Sequence, residues 1–401
     1  MAATARRARR SGGLLIVLAV VLLAANLRPA VNALGAVMPE LRGSTGLSGT
    51  ASGVLLALPT LCFALIGFAA PAVASRIGSH RTVVLALLAL TGGQVLRALV
   101  DGTWALFVGS VLALGGIAVG NVLLPGLIRL HFATAIGPMT AVYTTMLTIG
   151  GTVGAGLTLP IEHGLGGSWQ TGIGMWAVTA GVALVPWLAA AARHSRPVAS
   201  TTRRIGVLAL LHSPRAWAMA VYFGGQSLQA YVMFGWLPSI LADAGLSDEA
   251  AAGSVAIVVG VGIPIAAVVP ALLGAMRRQG ALVVGFVACY VLGYLGLILI
   301  PTSATWLLAL LIGIGGGAFP MALTLMALRS RTPAGTVALS AFGQSAGYLI
   351  ASCGPVGFGF LHDLTGGWTI PLVVLTALLS VLLATGFVVT RHWEIEDDLR
   401  G

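Results

Sequence analysis

Residues 14–37 read LLIVLAVVLLAANLRPAVNALGAV, an apolar run with one charged side chain, Arg28. About 20 such residues are enough for an α-helix to cross the hydrocarbon core of a bilayer. Similar runs recur throughout the 401 residues, which are 58% hydrophobic and only 8% charged. A soluble domain carries about a quarter charged residues. The composition therefore predicts an all-α integral membrane protein whose main surroundings are lipid.

Apolar segments of spanning length occur twelve times, and we number them as spans 1 to 12. They are predicted at residues 13–37, 50–73, 82–100, 104–128, 138–161, 168–192, 214–241, 250–274, 281–300, 305–328, 336–361 and 368–390. Cytoplasmic loops of membrane proteins are enriched in basic residues. With a cytoplasmic N-terminus, nearly all arginines outside the spans are cytoplasmic; Arg42 is in an outer loop, and Arg97 is near the outer end of span 3. Both termini are thus predicted to be cytoplasmic, in a multi-pass protein of the cell (cytoplasmic or inner) membrane.

The longest predicted cytoplasmic connection is residues 193–213, RHSRPVASTTRRIGVLALLHS, near the middle of the chain. The segments on its two sides resemble one another, since Pro39 and Pro71 of the first match Pro238 and Pro270 of the second at a constant offset. Parallel six-span repeats are typical of transporters that bind substrate between two halves. We therefore predict two six-helix bundles, residues 1–192 and 214–401, joined by a basic linker at 193–213.

Arg28 is predicted to lie near mid-depth in span 1. A charged side chain there costs about 2.5–3.5 kcal/mol on insertion scales. Pro29 follows directly and should bend the helix, while Asn26 and Asn32 add nearby amides. Because no predicted span holds Asp or Glu at this depth, we expect a negatively charged substrate to meet the guanidinium. The alternative is that Arg28 bonds carbonyls freed by the bend.

Further candidate substrate contacts lie on three other spans. One face of span 7 carries Tyr222, Gln226, Gln229, Met233 and Trp236 at helical spacing. Glutamines in lipid-embedded helices also serve as interhelical hydrogen-bond partners, so a packing role stays open for both. The remaining candidates are Gln344 and Tyr348 on span 11 and Asn121 on span 4.

Two pairs of titratable residues are candidates for proton coupling. Glu162-His163 and His362-Asp363 end spans 5 and 11, and histidine titrates near neutral pH. The alternative is that all four are solvated residues of outer loops.

The sequence lacks the motifs that are typical of several classes of enzyme. The chain has no Lys for a nucleotide-binding P-loop, no HExxH and no CxxC. Its arginines lie in short turns between apolar runs rather than in basic patches interleaved with aromatic residues. We therefore expect no enzyme activity, cofactor, metal or nucleic-acid partner, and the short loops argue against a receptor.

Three segments resemble one known family. They are NLRPAVNALGAVMPELR (Asn26–Arg42), FGGQSLQAYVMFGWLPSIL (Phe223–Leu241) and LSAFGQSAGYLIASCGPVGFGFLHDLTGGW (Leu339–Trp368). They resemble the cyanate/2-nitroimidazole transporter family of the major facilitator superfamily. The resemblance implies twelve helices, alternating access and small substrates, and it marks Asn26, Arg28, Gln226 and Gln344 as substrate-site residues.

The expected function is secondary active transport of a small anionic or polar solute, such as cyanate, bound by Arg28 in a central cavity. Asn32, Gln226, Gln229 and Gln344 would orient the solute, and Trp236 and Tyr348 would form aromatic walls. A coupling proton is an expected partner. The alternative within this class is efflux of a small drug-like or nitroheteroaromatic compound. A membrane-embedded enzyme or receptor is disfavoured.

Overall fold

The computed structural model describes residues 2–193 and 207–398, and every regular element within them is helical. The helices are α1 (Ala2–Asn26), α2 (Pro29–Ala36), α3 (Met38–Thr45), α4 (Gly49–Ile77), α5 (Ser79–Leu99), α6 (Thr103–His131), α7 (Ile136–Gly164), α8 (Trp169–Gly174), α9 (Trp176–Arg193), a 3-10 helix (Val207–His212), α10 (Pro214–Asp243), α11 (Asp248–Gly260), α12 (Gly262–Ala275), α13 (Gly280–Leu299), α14 (Thr305–Gly315), α15 (Ala318–Leu328), α16 (Pro333–Thr365), α17 (Thr369–Val389) and α18 (Ile395–Asp398).

All twelve predicted spans are helical, so the predicted fold class is confirmed. Among the described residues, ten helical regions are long and apolar enough to cross a membrane. The other two predicted spans, 7 and 11, correspond to α10 and α16, which carry the polar residues predicted to face substrate.

Four spans are each built from two consecutive helices. Span 1 consists of α1 and α2, span 6 of α8 and α9, span 8 of α11 and α12, and span 10 of α14 and α15. The break in span 1 directly precedes Pro29, which occupies the first turn of α2. A proline there is favourable because its missing N–H would have no intrahelical partner.

The outer connection after span 1 differs from the expected loop. Residues Met38–Thr45 form the short helix α3, in which Met38 and Leu41 are buried. α3 packs on α10. The segment contains Gly43, Ser44 and Thr45 and has no apolar periodicity long enough to predict a helix from sequence.

The chain forms two compact units. The first comprises the described parts of Met1–Val37 and Leu65–Ser200, and the second those of Met38–Ala64 and Thr201–Gly401. In the first unit α5 packs along α6 and α9, and α7 packs along α1 and α2. In the second unit α10 packs along α16, α17 and α11. The predicted linker 193–213 lies largely outside the described residues, so the division at that linker remains a prediction.

Candidate functional site

Arg28 lies at the break between α1 and α2 and is half-buried. It is the N-cap residue of α2, with φ −125° and ψ −29°. Its carbonyl accepts the first hydrogen bonds of α2, from the N–H groups of Val31 at 3.0 Å and Asn32 at 3.1 Å. The predicted bend is therefore a full interruption of the helix, and the arginine is at its centre.

Helix α7 packs closely against this break. Pro29 has no N–H to give to the carbonyl of Ala25, and that carbonyl lies against Gly150 of α7 so closely that a Cβ on Gly150 would overlap it. A Cβ on Gly154 would lie 2.5 Å from the Cα of Pro29. The amide of Asn32 donates to the carbonyl of Gly151 at 2.9 Å. Two glycines and one side-chain amide thus hold the Arg28 segment on α7.

Two neutral polar side chains accompany Arg28 in the first unit. The hydroxyl of Tyr143 on α7 donates to Oδ1 of Asn121 on α6 at 3.5 Å, and Tyr143 lies within electrostatic reach of the Arg28 guanidinium. Asn121 is half-buried. The structure therefore brings one of the predicted contacts, Asn121, together with a tyrosine that the sequence reasoning did not select.

The other amides of span 1 have protein partners. Nδ2 of Asn26 donates to the carbonyls of Leu22 at 2.8 Å and Thr179 at 3.2 Å, and its Oδ1 accepts from the Thr179 hydroxyl at 2.7 Å. Asn26 thus connects α1 to α9. Asn32 is 1% exposed, and its Oδ1 has no hydrogen-bond partner among the described residues.

Arg97 is a buried arginine that the sequence reasoning placed near the outer end of span 3. Its side chain is 1% exposed. The guanidinium donates to Oε1 of Gln94 at 3.2 Å, to the Ser110 hydroxyl at 3.4 Å and to the carbonyl of Ala30 at 3.5 Å. Ala30 is in the first turn of α2, so a second positive charge lies beside the helix that Arg28 caps.

In the second unit, the polar face of α10 is buried among its neighbouring helices. The amide of Gln229 donates to the carbonyl of Leu375 on α17 at 3.2 Å and accepts from the Tyr294 hydroxyl of α13 at 2.9 Å. Nε2 of Gln226 donates to the Ser227 hydroxyl at 2.6 Å, whereas its buried Oε1 has no hydrogen-bond partner in the part of the chain that the structure describes. Gln229 therefore connects α10 to α17 and α13 by hydrogen bonds, whereas Oε1 of Gln226 is available to accept one.

Tyr348 belongs to an aromatic cluster. Its ring centroid lies 5.0 Å from that of Phe223 and 5.2 Å from that of Phe63, and Tyr231 is 6.5 Å away. Gln344, one turn earlier on α16, is half-buried. Both substrate roles remain predictions.

Trp236 lies in a second aromatic cluster, at the end of α10. Its indole N–H donates to the carbonyl of Pro355 at 3.1 Å, and its ring contacts those of Phe358 and Trp368. The guanidinium carbon of Arg42 lies 5.5 Å from the ring centroid of Trp236. This tryptophan therefore forms part of the packing between α3, α10 and α16.

The four candidates for proton coupling lie in different environments. Glu162 is 1% exposed and lies against Gly172 of α8, whereas its neighbour His163 is exposed. Asp363 accepts hydrogen bonds from the N-terminus of α4, and His362 is half-buried beside Trp368. Of the four, Glu162 is the buried carboxyl group.

The pKa values of His362 and Asp363 are both lowered, for different reasons. Burial raises the pKa of Asp363, but the hydrogen bonds from Thr50 and Gly49 outweigh it and hold the pKa below its ordinary value. Burial and the nearby Arg42 charge lower the pKa of His362. The two shifts favour the ionised form of Asp363 and the neutral form of His362.

Side chains that commonly bind metals do not gather into one site in the described part of the chain. Within residues 2–193 and 207–398, no group of three or more His, Cys, Asp or Glu side chains could hold a metal ion. That the protein works without a metal stays a prediction.

Comparison with known proteins places the chain in a family. The profile described as Major Facilitator Superfamily matches residues 14–355. The chain belongs to this superfamily. It is 34% identical to the 2-nitroimidazole transporter of Escherichia coli (strain K12) over 376 residues, covering 92% of this chain and 94% of the relative. This superfamily protein is therefore a member of the cyanate/2-nitroimidazole transporter family.

Two further relatives agree with that placement. An uncharacterized transporter, YycB, of Bacillus subtilis (strain 168) is 34% identical over 375 residues, 92% of each chain. The cyanate transport protein CynX of Escherichia coli (strain K12) is 29% identical over 357 residues, 88% of this chain and 91% of the relative. This member of the superfamily is accordingly a multi-pass secondary transporter.

A solved structure supports the same architecture. A bacterial homologue of the human lysosomal transporter Spinster, in an inward-facing and occupied conformation, aligns with a TM-score of 0.78 over 96% of this chain and 97% of its own. The identity is 14%, so this likeness shows the fold alone.

Proposed function

We propose that this transporter moves a small anionic or strongly polar solute across the cytoplasmic membrane and that Arg28 binds the negative end of that solute. The observation that carries the proposal is the position of Arg28, half-buried at the interruption between α1 and α2. Interrupted membrane helices often supply substrate sites, because their ends present unused polar backbone groups.

The charges around the interruption favour an anion. The N-terminus of a helix carries a partial positive charge, and the Arg28 guanidinium lies at that end of α2. Arg97 adds a second guanidinium at the carbonyl of Ala30. A guanidinium presents a planar set of donors that matches carboxylate-like oxygens, and Tyr143 and Asn121 add neutral hydrogen-bonding groups nearby.

The relatives support a small substrate. The names of two of them refer to cyanate and to 2-nitroimidazole, which are a small anion and a compact nitroaromatic. Cyanate offers a full negative charge to Arg28, and a nitro group offers two partly negative oxygens. Export of a nitroheteroaromatic compound is therefore the second candidate function, favoured by the 34% identity to the 2-nitroimidazole transporter.

Uptake of an anion needs a driving force. A negative-inside potential opposes entry by about 2.3 kcal/mol per charge for each 100 mV. Proton symport, with one or more protons per anion, would offset this cost. Among the residues considered, Glu162 is our candidate proton carrier, because it is buried on α7 and Asp363 is already committed to hydrogen bonds from α4.

Transport by the purified protein in proteoliposomes tests the proposal. We expect uptake of radiolabelled cyanate that is competed by other small monovalent anions and is accelerated by an inward proton gradient. Efflux of 2-nitroimidazole from preloaded proteoliposomes, without competition by anions, would replace the anion proposal with the second candidate. Transport only of organic cations would contradict both.

A further inference from the structure

A cavity lies within the second unit, at the ends of α10 and α16 that are predicted to face outward. Its volume is about 380 Å³, within the size class of small-molecule pockets. Its lining includes Arg42, Ser239, Asp243 and His362. Three of these side chains contain a buried polar atom that has no hydrogen-bond partner within the described ranges: Nε of Arg42, the hydroxyl of Ser239 and Nδ1 of His362.

Ser239 provides the clearest indication of an absent partner. It is 3% exposed and sits inside α10. A helical serine usually bonds a carbonyl of the preceding turn, as Ser254 does to the carbonyl of Ala250 at 3.0 Å. The Ser239 hydroxyl makes no such bond to the described residues of its own helix. A buried polar group without a partner is unfavourable, so the site favours a ligand that supplies one.

Arg42 supplies the positive charge of the cavity lining and Asp243 a negative one. Its guanidinium lies over the Trp236 ring at 5.5 Å, and its Nε–H can only donate. Asp243, the acidic residue of the cavity lining, already accepts a hydrogen bond from the indole N–H of Trp368 at 2.8 Å. That bond occupies one acceptor site of the Asp243 carboxylate, and the buried lining atoms without a hydrogen-bond partner among the described residues are Nε of Arg42, Oγ of Ser239 and Nδ1 of His362.

His362 completes the polar lining. Its ring lies 3.9 Å from that of Trp368, and its Nδ1 is 3.9 Å from Oδ1 of Asp363, beyond hydrogen-bond distance. The neutral tautomer with a proton on Nδ1 donates, as does the protonated ring. An acceptor bound in the cavity favours these two forms over the neutral tautomer that carries its proton on Nε2.

We propose that this outer cavity is a binding site for a small monovalent anion, held by the Nε–H of Arg42, the Ser239 hydroxyl and the His362 ring. The site is built from residues of the second unit and does not depend on the transport role of Arg28. An anion bound there neutralises the Arg42 charge and satisfies the Ser239 hydroxyl.

Calorimetric titration of the purified full-length protein with sodium formate tests the site. The Arg28→Gln variant serves as background, so that binding at the proposed transport site is removed. We expect this variant to bind formate, and we expect adding Ser239→Ala to weaken the affinity about tenfold, the loss of one hydrogen bond to a charged ligand. Arg42→Gln should weaken it further.

The matched controls are Ser254→Ala, whose hydroxyl bonds its own helix, and Arg76→Gln, an exposed arginine of α4. Both should leave formate affinity unchanged. The proposal is overturned if the Arg28→Gln protein binds no formate. It is equally overturned if Ser239→Ala and Ser254→Ala bind formate equally well, since Ser239→Ala removes a single oxygen atom and should leave the fold intact.

Discussion

The carboxylate of Asp363, in the last turn of α16, caps the N-terminus of α4, whose first residue, Gly49, lies 314 positions earlier in the chain. Oδ1 accepts the N–H of Gly49 at 2.8 Å, and Oδ2 accepts the N–H and the hydroxyl of Thr50 at 2.7 and 2.8 Å. A negative charge at a helix N-terminus is favourable because it meets the unused N–H groups and the positive end of the helix dipole.

Replacement of Asp363 by Asn should lower the stability of the protein. The amide keeps one acceptor oxygen but loses the charge and the second acceptor, so we expect a loss of about 0.3–1 kcal/mol, the range for a negative charge at an exposed helix N-terminus. Thermal unfolding of the purified variant measures the change. Asp101→Asn, in an exposed position before α6, is the control. Equal melting temperatures for the two variants would show that the cap contributes nothing.

The stabilisation by Asp363 should also depend on pH. Its pKa in the folded protein lies below the ordinary value of 3.8. The contribution is therefore complete above about pH 4–5 and is lost as the pH falls through the folded-state pKa. The difference in melting temperature between wild type and Asp363→Asn should be constant from about pH 7 to 5 and shrink below about pH 4. A difference that grows on acidification would contradict this assignment.

Gly154→Ala should impair transport. A Cβ at this position would lie 2.5 Å from the Cα of Pro29, so α7 must move away from the segment that carries Arg28. Overpacking of this kind costs about 1–3 kcal/mol. Gly164→Ala, on the same helix with no described atom within 4 Å of its added carbon, is the matched control. If both variants transport cyanate at the wild-type rate, the close packing of α7 is not needed to position Arg28.

Substitutions of the two glutamines of α10 should have different effects, one mainly on stability and the other mainly on transport. Gln229→Ala removes hydrogen bonds to Leu375 and Tyr294, each worth about 0.6 kcal/mol in a membrane, and should lower the melting temperature. Gln226→Ala removes a group whose Oε1 has no partner among the described residues, so it should lower substrate affinity with a smaller effect on stability. Comparison of the melting temperature and the KM for uptake tests this, and the reverse pattern would assign the substrate role to Gln229.

Hydropathy is sufficient to predict the twelve spans, including the four that are each built from two helices. Even α10 and α16 are recognisable as spans, because their polar residues are confined to part of each helix. The helix α3 is not predicted from the sequence, because Gly43, Ser44 and Thr45 are residues typical of loops. Its burial depends on contact with α10, which no local pattern reveals.

The candidate site is less completely predictable. Helical spacing places Gln229 and Trp236 on one face of α10, but it cannot say which helix that face meets. Gln229 meets Leu375 and Tyr294, and Trp236 meets Pro355. The sequence assigns Arg97 only to the outer end of span 3, because position along a span says little about depth within a protein interior. Its contact with Ala30 depends on the packing of a distant helix.

The central claim is that the Arg28 guanidinium binds an anionic substrate. Uptake of radiolabelled cyanate into proteoliposomes, measured side by side for wild type, Arg28→Lys and Arg28→Gln at matched protein incorporation, tests it most directly. We predict that Arg28→Gln lowers kcat/KM about tenfold or more, as expected for loss of a charged hydrogen-bond donor. Arg28→Lys should retain part of the activity, because it keeps the charge without the planar fork. Cyanate uptake by Arg28→Gln at the wild-type rate would contradict the account.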